Sequence, residues 1–127
     1  MVLFVTALPA MAGMAGVQPP SAAELKEEDT GVTVEKEYVF NPLQAEKELR
    51  TGDFYAKKGS HKAAASRYLE AVKWNPTLVE GWRKLAISRE KLKDDKAAIE
   101  AWKKYLELDP GAKDAKAIRK KVDSKSS

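Results

Sequence analysis

Along the second half of the chain, apolar residues return at helical rather than strand spacing. Ala64, Tyr68, Ala71 and Val72 lie four, three and one residues apart and so fall on one stripe of a helix with 3.6 residues per turn. Start and stop signals bracket that stripe and its neighbours. Asn41 followed by Pro42 and Gln44 has the form of an N-cap, a first-turn proline and a capping box, which predicts a helix over 42–58 ending at Gly59. Ser60 can cap the next helix, which must end before Asn75-Pro76 because proline bars the α region to the residue before it. Thr77 and Glu80 form a second capping box ahead of Leu78, Trp82, Leu85 and Ala86. A fourth helix starts near Asp94 or Asp95 and carries Ala98, Trp102, Tyr105 and Leu106. A fifth, over 112–122, offers Ala115, Ile118 and Val122.

Adding 34 to the stripe at 64, 68, 71 and 72 gives 98, 102, 105 and 106, the stripe of the fourth helix. A fixed period of this kind is the mark of stacked repeats, in which one helical hairpin buries its apolar face against the next. The two units, 45–78 and 79–112, resemble tetratricopeptide repeats, whose pattern runs Trp, Leu-Gly, Tyr, Ala, aromatic, Pro at set intervals. The first keeps Gly52, Tyr55, Ala64, Tyr68 and Pro76, with Glu48 and Thr51 at the Trp and Leu places. The second keeps Trp82, Leu85, Ala98, Trp102 and Pro110, with Ala86 and Arg89 at the Gly and Tyr places. The expected fold is all-α: two such hairpins as a fragment of an α-solenoid over 41–122, closed by a capping helix and followed by a disordered tail at 123–127. Small residues at 52, 64, 86 and 98 let paired helices approach, and the aromatics fill the space beside them.

The first forty residues read differently. Val2 to Leu8 is an apolar run and Ala10-Met11-Ala12 is a small-x-small cleavage pattern, so 1–12 is expected to be a signal peptide, although no Lys or Arg precedes the run. Residues 13–40 hold Pro19-Pro20 and an acidic cluster without sustained periodicity, which predicts a flexible linker. Export to a bacterial envelope or periplasm is the expectation, with a cytoplasmic protein bearing a floppy apolar tail as the alternative. The run is too short and too interrupted to span a bilayer, so no transmembrane helix is expected.

Chemistry is mostly excluded. There is no cysteine, and His61, the only histidine, sits beside Ser60 and Lys62 at a helix start, so a thiolate site is excluded and neither a metal cluster nor a Ser-His-Asp triad is expected. No glycine motif cradles a phosphate. Neither enzymatic activity, nor a small-molecule substrate, nor a cofactor or metal is expected. The net charge of +4 is unevenly placed: Lys and Arg equal Asp and Glu over 1–110, and the excess lies in 111–127, with six basic against two acidic residues. A short basic tail on a neutral body does not predict nucleic-acid binding.

The resemblance implies a binding role. In this repeat family the first helices of the hairpins line a concave groove for a partner's peptide or helix. The corresponding positions are Glu46, Leu49, Asp53 and Lys57, then Glu80, Arg83, Ile87, Glu90 and Lys91. Leu49, Asp53 and Ile87 stand where the chaperone-binding subgroup has a Lys and two Asn, so a carboxylate clamp is not expected. The leading expectation is a protein-binding scaffold. The leader, acidic spacer, repeats and basic closing helix together look similar to periplasmic repeat proteins of outer-membrane β-barrel assembly. Two alternatives stay open: a homodimer formed through an exposed repeat face, and an anionic-surface binder acting through the basic last helix.

Overall fold

The computed structural model describes residues 36–126, so the expected signal peptide and most of the linker lie outside the described residues. From Tyr38 onward the chain forms one compact unit. Its elements are α1 (Pro42–Lys57), α2 (His61–Trp74), α3 (Val79–Lys91), α4 (Asp95–Leu108) and α5 (Ala115–Ser126). The fold is all-α, and no strand occurs among the described residues. Each helix packs chiefly on the next in sequence, α1 on α2 through α4 on α5, as expected for a zigzag of hairpins. The core runs continuously through them, from Leu49 and Tyr68 by way of Val72, Leu85 and Trp102 to Ile118 and Val122.

The period of 34 is visible in the backbone. In the turn after α1, Gly59 N–H donates to the Ala56 carbonyl and Ser60 N–H to that of Tyr55; after α3, Lys93 donates to Glu90 and Asp94 to Arg89. Both turns require a positive φ, 80° at Gly59 and 64° at Lys93, so the second copy holds a lysine in a conformation that glycine adopts without strain. At the other ends, Asn75 donates to Ala71 and Asp109 to Tyr105.

Close approach within the first hairpin rests on Gly52, because a Cβ there would lie 2.5 Å from the Tyr68 ring. Where the second repeat has apolar Trp82 and Leu85, the first has Glu48 and Thr51. Leu85 is fully buried, whereas Glu48 is tied to Arg67 at 3.2 Å and accepts from the Gln44 side chain at 3.1 Å.

Local differences from the sequence reading have local causes. Asn41 caps α1 as expected, accepting from Gln44 N–H, but the capping box does not close: the Asn41 N–H donates to the Trp74 carbonyl instead. Ser60 makes no side-chain cap bond. The box at Thr77 is also absent. Leu78 is the N-cap, and both the amide and hydroxyl of Thr77 donate to Asn75 Oδ1 in an Asx turn. Asp94 does cap α4, accepting from Ala97 N–H. The last helix starts at Ala115 rather than 112 and continues through Ser126, so the residues expected as a disordered tail extend the helix as far as the structure describes them. The linker is shorter than expected too. Tyr38 packs edge-on to Trp74 with centroids 4.9 Å apart and donates its hydroxyl to Glu70, which fastens the segment before α1 onto the end of α2.

Candidate functional site

The side of the repeat formed by α1 and α3 is held by carboxylates that each bind a donor on two other elements. Asp53 on α1 accepts the Tyr68 hydroxyl of α2 at 2.6 Å and the Lys84 ammonium of α3 at 2.8 and 2.9 Å. Burial alone would raise the Asp53 pKa, but the Lys84 and Tyr68 hydrogen bonds outweigh it and hold the carboxyl below the usual range. Tyr68 moves the other way: burial, then the adjacent Asp53 charge, pushes its phenol well above the usual value.

A second node closes the other end. Asp114, one residue before α5, accepts the Tyr105 hydroxyl of α4 at 2.6 Å and the Arg83 guanidinium of α3 at 3.3 Å. The Tyr105 hydrogen bond, against a smaller effect of burial and helped by Arg83, lowers the Asp114 pKa. The third node is Glu90 on α3, which accepts Trp102 Nε1 of α4 at 2.9 Å and the Lys121 ammonium of α5 at 3.0 Å. Lys121 also stands 5.3 Å over the Trp102 ring. Tyr68, Trp102 and Tyr105 are therefore core side chains whose polar tips bind the carboxylates that link one hairpin to the next element.

These ties sort the nine groove positions. Leu49 does not face an open groove: it is 8% exposed and belongs to the core. Asp53, Arg83 and Glu90 are engaged in the nodes, so their first role is to set α1, α3 and α5 against one another. Ile87 is half-buried against the core and Glu46 is part-exposed, while Lys57, Glu80 and Lys91 are exposed. The exposed part of these nine positions is thus narrower than the sequence pattern implied and carries both signs of charge around half-buried Ile87.

Lys84 and Asp114 were not among the candidates, yet each supplies one half of a tie. Asp114 had one visible signal, as a lone acid immediately ahead of an apolar stripe in a basic segment, the place an N-cap would take. Lys84 had none, since its partner is 31 residues away. No group of three or more His, Cys, Asp or Glu residues placed to hold a metal occurs among the described residues. Within the same residues, no helix is long and apolar enough to cross a membrane. Comparison with protein-family models and with curated proteins gave no match.

Proposed function

We propose that the chain is a non-catalytic protein-interaction scaffold of the tetratricopeptide type, which receives a peptide or helix of a partner along α1 and α3. The Asp53–Lys84 bridge carries this reading. It spans from the first helix of one hairpin to the first helix of the next and holds their sides in register, with Glu46, Lys57, Glu80, Ile87 and Lys91 left at the surface or partly so. A helical scaffold presenting a small mixed surface suits recognition of a chain segment better than it suits chemistry, since among the described residues the perturbed groups are engaged in structural ties.

The bacterial envelope is the proposed setting, supported by the apolar leader and acidic spacer that precede the repeats. A role beside outer-membrane β-barrel assembly rests on that same arrangement. A photo-crosslinker at Ile87 tests the groove in cells that make the protein: one defined adduct supports it, and the absence of any adduct overturns it.

A further inference from the structure

On the first hairpin, every fully exposed charge is positive. Lys47, Arg50, Lys57, Lys58, Lys62 and Lys73 are exposed, whereas the carboxylates Glu46, Glu48, Asp53 and Glu70 are part-buried. The second hairpin differs, with five exposed acids and five exposed bases over 79–108. Cations and large apolar residues come together on α1. Leu43, Lys47, Arg50 and Phe54 follow at spacings of four, three and four, one stripe directly opposite the buried Ala45, Leu49 and Gly52. Leu43 is 82% exposed and Phe54 53%, and Val39 and Phe40, 73% and 64% exposed, stand just ahead of the helix. The Phe54 ring is braced edge-on by Tyr55 and has the Lys58 ammonium 5.1 Å from its centroid.

We propose that this outer face of α1 docks peripherally on an anionic lipid surface, with Leu43 and Phe54 entering the headgroup boundary and Lys47, Arg50 and Lys58 meeting lipid phosphates. Charge complementarity selects an anionic occupant, because no fully exposed carboxylate lies on this hairpin. Shape selects a lipid surface over an acidic protein. The apolar residues project from the exposed side of one helix, away from its buried Ala45, Leu49 and Gly52. A lipid interface takes projecting apolar anchors with cations beside them, which is the arrangement of this face. The basic last helix lacks that combination: its apolar Ala115, Ile118 and Val122 are buried, and Lys121, Lys125 and Arg119 bind Glu90, Asp95 and the Pro110 carbonyl. The stripe also lies about a quarter turn from Glu46 and Asp53 around α1, so lipid contact leaves the α1–α3 side open.

Co-sedimentation of the full chain with phosphatidylcholine vesicles, with and without phosphatidylglycerol, reads the proposal. Wild type should bind only the anionic vesicles, and less at high salt. At about 1 kcal/mol per surface cation, Lys47→Gln with Arg50→Gln should weaken binding about thirty-fold. Leu43→Ser with Phe54→Ser should weaken it too, whereas Lys116→Gln with Lys120→Gln should leave it unchanged. All these residues are exposed, and circular dichroism should show a native helical fold in each variant. The proposal is overturned if wild type binds neither vesicle or both alike, as it would be if the face recruits an acidic protein. It is equally overturned if the α1 variants bind like wild type, or if only the α5 variant loses binding.

Discussion

Gly52→Ala isolates the closest approach between α1 and α2. On an exposed helix the change should stabilise by about 1 kcal/mol through propensity alone. Here the new methyl would sit 2.5 and 2.6 Å from two ring carbons of Tyr68 and 3.1 Å from a third. These are atoms in the body of a ring that is 3% exposed, and its hydroxyl is fixed to Asp53 at 2.6 Å. The ring cannot withdraw without releasing that bond. Overpacking costs about 1–3 kcal/mol, and loss of a hydrogen bond to a charged acceptor about 1.5–3 kcal/mol, so the net effect after the propensity gain is a loss of about 1.5–5 kcal/mol. Urea unfolding followed by helical circular dichroism measures it, and at about 4–8 °C per kcal/mol for a domain of this size the melting temperature should fall by at least about 6 °C. Tyr68→Phe frees the ring from Asp53, so in that background Gly52→Ala should cost less than in wild type. A Gly52→Ala protein as stable as wild type, or more so, would refute the clamp, as would equal costs in the two backgrounds.

Two further predictions use the turns and the nodes. Lys93→Gly should stabilise by about 1 kcal/mol, because it removes a side chain from a left-handed position, while Gly59→Ala, where only backbone strain acts, should destabilise by a similar amount. Since the folded pKa of Asp53 is depressed, its contribution is complete above the ordinary carboxylate pKa and is lost as pH falls through the lower folded value. Acid titration of stability should therefore be shallower in Asp53→Asn than in wild type, and parallel curves would contradict the Lys84 and Tyr68 bonds.

What the sequence made legible was the part that repeats. Helix order, the stripes at 64–72 and 98–106 and the two proline-marked reversals depend on periodicity and backbone restriction, which a single chain displays. Caps proved harder, because Thr77 had a competing acceptor in Asn75 and Asn41 N–H had one in the carbonyl of Trp74. Tyr38 was read as linker since its reason to order lies on α2, 32 residues away. The groove shared that difficulty. Spacing put Asp53, Arg83 and Glu90 on the right helices, but only the fold shows that Lys84, Asp114 and Lys121 occupy their charges. Leu49 carries the same lesson from the apolar side, since one helical residue of rotation separates a groove position from a core position.

Crosslinkers placed one at a time on opposite sides of the stack probe whether a partner is received along α1 and α3. Glu80 and Lys91 stand on the proposed face, and Lys103 and Glu107 are exposed on α4. The same adduct is expected from Glu80 and Lys91, lost on charge reversal at Lys57, and none from Lys103 or Glu107. Adducts from α4 in place of α3, or equal capture from both sides, would contradict it.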